Sequence, residues 1–288
     1  MAPIDLDALA MRVARELGRA DQASGPPSGV RDGGEASHIA EFIDHTLLKA
    51  EATRAEIEQL CAEAIEHTFA AVCVNPVWVP LCAAMLGGSG VAVATVVGFP
   101  LGANQAETKA AEAALAVRQG ATEVDMVAAI GHIKSGDWHH VADDIDAVVR
   151  AAGGALVKVI IESAHLTPTE IIKASALARE VGAHYVKTST GFHPSGGASA
   201  DAVALMRLVV GDSMGVKASG GVRDCATALR MIASGATRIG TSSGVAMARC
   251  LARGRVSMRE LLGSPDAHAG HCTSGTCAAV MTGGVPVY

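Results

Sequence analysis

A closed parallel (β/α)8 barrel of the TIM type is the α/β architecture that this sequence predicts, and three observations predict it. Short β-branched runs alternate with helical segments eight times, at a repeat of about 20–33 residues, and eight such units close a barrel through right-handed crossovers. The chain has 288 residues, and a barrel of this kind uses about 250. Half of the residues are hydrophobic but only 3% are aromatic, so the core must be built from Val, Ile, Leu and Ala, as layered parallel sheets are. The alternative is an open doubly wound sheet, which would carry a glycine fingerprint at its first strand-to-helix turn. None stands there. The glycine-rich runs ASGGVRD and IGTSSG come late, after the seventh and eighth strands.

Residues 1–37 stand apart from the barrel. Residues 4–18 predict a short N-terminal helical extension, with Ile4, Leu6, Leu9, Val13 and Leu17 roughly on one face. Residues 21–37 are rich in Gly, Ser and Pro without periodicity, which predicts a flexible linker. The barrel itself is expected over 38–262, with 263–288 as a flexible Gly- and Cys-containing tail. Its first strand is expected at 42–47, followed by a helix over 53–67 that Thr53 opens with Glu56 three residues on, the spacing of a capping box. Strands at 71–75 and 91–97 lead to a helix over 105–119. A strand at 123–128 precedes a helix over 138–152, and a strand at 156–161 precedes one over 167–181, where Thr167 and Pro168 start the helix and Glu170 follows. Strands at 184–189, 215–219 and 237–241 alternate with helices over 199–210 and 224–234.

Charge and cysteine usage narrow the function classes. The net charge is -6, with basic residues scattered along the chain, so nucleic acid finds no electrostatic footprint here. Charged residues interrupt the first thirty positions and no apolar run reaches the length of about 18 that a membrane helix needs; the expectation is a soluble, cytoplasmic protein with no membrane partner. Of seven cysteines, Cys61, Cys73, Cys82, Cys225 and Cys250 lie singly in apolar segments, as reduced core residues do. Cys272 and Cys277 sit near His268 and His271. These are residue types of a metal or redox site, but the spacing fits no zinc pattern well.

The chemistry centres on YVKTSTG, residues 185–191, a strand with Lys187 inside it. A buried lysine must be paired or driven towards the neutral amine, and a neutral amine is a nucleophile. Lys158 and Lys217 also fall inside predicted strands. On strands five, six and seven of a closed barrel the three are neighbours, so one ammonium can depress the pKa of another. Asp125, in EVDMV on strand four, is an equally costly buried charge unless it meets them, and Asp44 of FIDHTLL can join from strand one. A structural ion network filling the lumen is the competing reading. Gly220, Gly221, Gly240, Ser242 and Ser243 lie in two runs that each enter a helix, where backbone N–H groups and the helix dipole favour an anion such as phosphate.

Taken in order, IDHTLLK, AVCVNP, GFPLG, EVDMV, KVIIE, YVKTSTG, VKASGGVRD and IGTSSG cover residues ~40–250, and in them the chain resembles the deoxyribose-phosphate aldolases, a family of class I aldolases. The resemblance implies that Lys187 forms a Schiff base, that Lys217 perturbs it and that Asp125 is the acid/base. It implies a substrate pocket lined by Asp44, Thr46, Cys73, Lys158 and Thr188, and a phosphate site on Gly191, Gly220, Gly221, Gly240, Ser242 and Ser243. Some members end in a tyrosine that reaches the site for proton transfer, and this chain ends in Tyr288. Phe192 departs from relatives that carry a second basic residue there, which leaves that contribution to phosphate affinity unaccounted for.

The implied reaction is reversible cleavage of 2-deoxy-D-ribose 5-phosphate to acetaldehyde and D-glyceraldehyde 3-phosphate, in deoxyribonucleoside catabolism. No metal or cofactor is expected, since an iminium does the polarising. The implied partner is a small phosphosugar, and the implied assembly a homo-oligomer, dimer or tetramer. Two rivals remain open: a phosphate-binding barrel isomerase or synthase whose lysines act only as charges, and a non-catalytic ligand-binding barrel.

Overall fold

The computed structural model describes residues 5–8, 11 and 39–252, with side chains as far as Arg249. The expectations for the linker, the C-terminal tail, Cys272, Cys277, His268, His271 and Tyr288 fall outside these residues, as does the side chain of Cys250. Eight parallel strands close in chain order, with the last pairing back onto the first. They are β1 (Ile43–Leu47), β2 (Ala71–Val74), β3 (Ala92–Val97), β4 (Glu123–Val127), β5 (Leu156–Ile160), β6 (Tyr185–Lys187), β7 (Gly215–Ser219) and β8 (Arg238–Thr241). Around them, among the described residues, run α1 (Arg54–His67), α2 (Val79–Leu86), α3 (Ala106–Arg118), α4 (Ile130–Ser135), α5 (Trp138–Ala151), α6 (Pro168–Glu180), α7 (Ala200–Val210), α8 (Cys225–Ala233) and α9 (Gly244–Ala252).

Local chemistry sets the helix starts. Thr53 with Glu56 and Thr167 with Glu170 form reciprocal capping boxes at α1 and α6, and Pro168 occupies the first turn of α6, so two otherwise orphaned amides are satisfied at each entry. Asp137, Ser199 and Asp224 cap α5, α7 and α8 with their side chains. Of the N-terminal extension, residues 6–8 are helical, Leu6 packs on the barrel's apolar layer and Asp7 pairs with Lys173 of α6.

The alternation of strand side chains divides the interior in two. Outward residues such as Val72, Val124, Met126, Val159, Val186, Val216 and Ile239 build one apolar layer against the helices. A second, small apolar cluster of Ala71, Cys73, Ala94 and Val96, with Leu48, lies on the other face of β2 and β3. The charged residues come from the remaining strands. Two small residues make room there: a Cβ on Gly215 would meet the Tyr185 ring at 2.1 Å, and one on Gly240 would meet Lys217 Cε at 3.1 Å.

Three helices, α2, α4 and α9, were not among the expected elements. The α2 segment, VPLCAAML, is apolar on every side and carries no amphipathic period, and α4 is only six residues long. Strand β6 stops at Lys187 rather than at residue 189; Thr188 still bonds to Lys217 O and Ser163 N, and the chain then runs into the turn at Gly191, whose φ is 85°.

Candidate active site

The lumen-facing charges of six strands meet at one point. Lys187 Nζ donates to Asp125 Oδ2 at 2.8 Å, and Lys217 Nζ donates to the same oxygen at 2.7 Å. Lys158 Nζ lies 2.7 Å from Asp125 Oδ1, 2.6 Å from Glu123 Oε2 and 3.6 Å from Asp44 Oδ2. Lys217 also pairs with Asp44, and Arg238 bridges Asp44 at 2.6 Å and Glu123 at 2.7 Å. Register explains the meeting: Asp125 stands opposite Lys158, and Lys187 opposite Lys217, which in turn stands opposite Arg238.

Four cations therefore face three carboxylates, all of them buried. Unbalanced charge in such a medium is costly, so one cation is under pressure to discharge. Lys187 is the one with the least support, because its single carboxylate oxygen is shared with Lys217, whereas Lys158 sees three carboxylates. The titration behaviour follows this pattern. Burial pushes the Lys187 amine below the usual lysine value, Asp125 opposes that, and the neighbouring Lys217 charge adds to it. Lys217 and Lys158 are also buried, but their carboxylates outweigh the burial and hold both above the usual value. Burial works to raise Asp125, yet Lys158, Lys187 and Lys217 together hold it well below the usual carboxylate range. Asp44 is lowered too, with Lys217, Lys158 and Arg238 overcoming its burial. Burial raises the Cys73 thiol, which lies on the apolar side of the same lumen as a neutral wall.

Above this cluster a pocket opens at the C-terminal ends of β1, β6, β7 and β8, with Lys187 in its lining. Thr46, Gly220, Gly221, Gly240 and Ser242 line it as well, together with Thr190, Ser219 and Arg223. Gly220 and Gly221 have φ of 80° and 79°, and Gly191 has 85°, so both turns need a residue without a Cβ. Asp44, Cys73, Asp125, Lys158 and Lys217 lie fully buried below this opening. Thr188 is buried too, with its hydroxyl donating to Ser219 O at 3.1 Å and accepting from Ser219 N at 3.0 Å, which ties β6 to β7. Ser243 follows the pocket, and its amide donates to Thr241 Oγ1 at 2.9 Å.

One expectation is corrected. The SGGVRD run does not offer α8's N-terminus to an anion, because Asp224 caps it and accepts from Thr227 N at 2.8 Å; the loop before the cap is what faces the pocket. Sequence reasoning did not single out Glu123, Arg238, Arg223 or Thr190. Glu123 and Arg238 each stand two positions before an expected site residue, Asp125 and Gly240, on the same strand face, and that period of two is the signal that finds them. Arg223 lies exposed in the ASGGVRD run and supplies a cation at the rim where Phe192 supplies none. A second buried pair, Lys109 with Asp144 at 2.8 Å, grips the end of β4 through Val127 O and Ala129 N.

Among the described residues, the group that could hold a metal ion is His132, Asp137 and His140, whose ligating atoms lie within 4.8 Å of one another. It sits at the α4–α5 junction, partly exposed. Its carboxylate is already engaged by His132 Nδ1 at 3.0 Å and by His140 N at 3.3 Å, as a helix cap.

Known proteins resemble this chain over most of its length. A family model described as DeoC/LacD family aldolase matches residues 39–251. A deoxyribose-phosphate aldolase of Histophilus somni is 56% identical over 209 residues, spanning 73% of this chain and 93% of that protein. One of Brevibacillus brevis is 58% identical over 210 residues, spanning 73% of this chain and 95% of that protein. The tetrameric deoxyribose phosphate aldolase of Aeropyrum pernix superposes with a TM-score of 0.69 at 30% identity, covering 87% of this chain and 99% of that one. A solved structure described as QR15, an aldolase, superposes with a TM-score of 0.71 at 40% identity, covering 75% and 96%. With its closed barrel, the family match over residues 39–251 and more than half of the aligned residues shared with the Histophilus and Brevibacillus proteins, the chain belongs to the DeoC/LacD family of aldolases.

Proposed function

We propose that this enzyme cleaves 2-deoxy-D-ribose 5-phosphate reversibly to acetaldehyde and D-glyceraldehyde 3-phosphate through a Schiff base on Lys187. The observation that carries the reading is Lys187 itself: the least compensated cation of the lumen, lowered in pKa, and in the lining of the pocket. Its neutral amine attacks C1 of the open-chain sugar, water leaves, and a cationic iminium forms. Asp125, directly or through a water, takes the C3 hydroxyl proton. The C2–C3 bond then breaks, its electron pair moves into the iminium to give a neutral enamine, and glyceraldehyde 3-phosphate departs. Protonation of the enamine at C2 and hydrolysis release acetaldehyde and regenerate the amine.

A carboxylate held as low as Asp125 is a weak base at rest. It becomes a stronger one at the moment of need, since bond cleavage erases the positive charge on the Lys187 nitrogen, 2.8 Å from its Oδ2. Lys217 and Lys158 stay charged throughout and keep the anion oriented. Thr46 at the pocket wall and Asp44, Cys73, Lys158 and Thr188 around it shape the space for the sugar chain. Gly191, Gly220, Gly221, Gly240, Ser242 and Ser243 supply donors for the phosphate, with the Arg223 guanidinium as the cation at the rim. Anchoring the phosphate there holds the reacting carbons near Lys187 and lowers the entropic barrier. Release of glyceraldehyde 3-phosphate from 2-deoxyribose 5-phosphate, followed with a coupled dehydrogenase, tests the reading; a pure enzyme that isomerises the sugar without releasing the triose contradicts it.

The same proposal covers context. Residues 38–262 are the catalytic unit, supported by the family match over 39–251. No helix among the described residues is long and apolar enough to cross a membrane. A cytoplasmic location belongs to the same reading, because a phosphorylated sugar carries charge that a bilayer rejects and is therefore met in the compartment where it is made. Exposed Ile65, Leu115 and Leu208 on α1, α3 and α7 offer outer-helix contacts for a homo-oligomer, which sedimentation would detect.

A further inference from the structure

The end of β5 carries a buried acid that the reaction above does not use. Glu162 is 3% exposed and has φ 55° and ψ 56°, a left-handed conformation that a residue with a side chain adopts at a cost. What holds it there is visible on both sides. Ile161 N donates to Lys187 O at 3.1 Å and Ser163 N donates to Thr188 O at 2.8 Å, so the backbone flanking Glu162 is stitched to the end of β6. The twist between these two bonds swings the Glu162 side chain across to the next turn. There Oε2 accepts the Thr190 hydroxyl at 2.6 Å and the Thr190 backbone N–H at 3.2 Å.

Thr190 lines the pocket, three residues after Lys187. With its hydroxyl proton given to Glu162, its oxygen is free to accept Phe192 N at 3.1 Å, and this closes the turn around Gly191. One carboxylate oxygen thus sets two polar groups of a single pocket residue and, through them, the path of residues 190–192. We infer that Glu162 is a positioning residue of the anion pocket, shaping the Ser-Thr-Gly turn after Lys187 to receive the substrate's phosphate. The inference rests on the proposed phosphosugar reading.

The test compares the full-length wild type with Glu162→Gly, Glu162→Gln and Thr190→Val. Gly suits the left-handed backbone and removes the side chain with its carboxylate; Gln keeps one acceptor oxygen for Thr190. The other oxygen, Oε1, is buried without a protein partner among the described residues, so Gln gives up no contact there. Losing the two hydrogen bonds that hold Thr190 is expected to raise KM for 2-deoxyribose 5-phosphate about tenfold in Glu162→Gly, with kcat changed less than about twofold. Inhibition by inorganic phosphate weakens by the same factor, while kcat/KM for unphosphorylated 2-deoxyribose stays within about twofold. Glu162→Gln restores KM, and Thr190→Val shifts it in the same direction with no further loss when combined with Glu162→Gly. Equal losses on both sugars, or none on either, overturn the inference. A wild type that treats the two sugars alike removes the phosphate reading and this inference with it, whereas a phosphate-selective wild type whose Glu162→Gly form keeps its selectivity overturns the inference alone.

Discussion

The reactivity of Lys187 is set by arithmetic over a few side chains. As the proposed nucleophile it must be neutral to attack, so kcat/KM is expected to rise with pH through its lowered pKa. Removing the Lys217 ammonium removes a cause of that lowering, and the ascending limb of the pH–rate profile in Lys217→Leu should move to higher pH. A limb displaced by about one pH unit means a rate about tenfold lower on the acid side. Asp125→Asn has the opposite sign for the limb, because Asp125 is the group that raises Lys187, while loss of the proposed base is expected to lower kcat by about 10²–10⁴. Limbs that do not move, or that move in the reverse directions, would show that Lys187 is not the titrating nucleophile. At this scale much was legible in the sequence. A lysine or aspartate inside a β-branched run announces itself, as at Lys158, Lys187, Lys217 and Asp125. Glu123 and Arg238 open their strands beside turn residues and read there as ordinary solvent-facing charges, although both are buried.

At the scale of the element, short strands place these groups and small residues let them approach. Gly240 on β8 is the sharpest case: a Cβ there would lie 2.9 Å from Ser219 Cβ and 3.1 Å from Lys217 Cε. Gly240→Ala is expected to lose about 1–3 kcal/mol of stability from overpacking, measured by urea unfolding. It should also lose activity, as Lys217 is displaced from Asp125. Full activity in that variant would mean that the Lys217 position is not critical. The strands and the capped helices were legible because β-branched runs and capping boxes are local signals. The α2 helix was not, since a segment apolar on all sides has no period to read, and neither was the path of the chain after β6, where Thr190 is held by Glu162, 28 positions earlier.

For the whole molecule, the ion cluster joins β1, β4, β5, β6, β7 and β8 across the lumen and makes the barrel's closure depend on charge balance. Arg238→Met takes the shared guanidinium from Asp44 and Glu123, which keep Lys217 and Lys158 as partners, so the expected loss is that of hydrogen bonds between charged groups, about 1.5–3 kcal/mol, readable from urea unfolding. The sign of the pH dependence follows from Asp44 and Asp125, whose folded pKa values lie below their unfolded ones. Their contribution is present above the ordinary carboxylate pKa of about 4 and is lost only as pH falls through the depressed folded values. The barrel should therefore hold its stability in mild acid and lose it steeply in strong acid.

Covalent capture of a carbonyl by Lys187 underlies every step proposed for this enzyme, and borohydride reduction in the presence of acetaldehyde, followed by peptide mass mapping, puts it to the test. One stable ethyl adduct is expected, on Lys187, with loss of activity in proportion to labelling. An adduct that forms on another lysine while Lys187 stays unmodified, or a protein that is inactivated without any adduct, would refute the Schiff-base assignment.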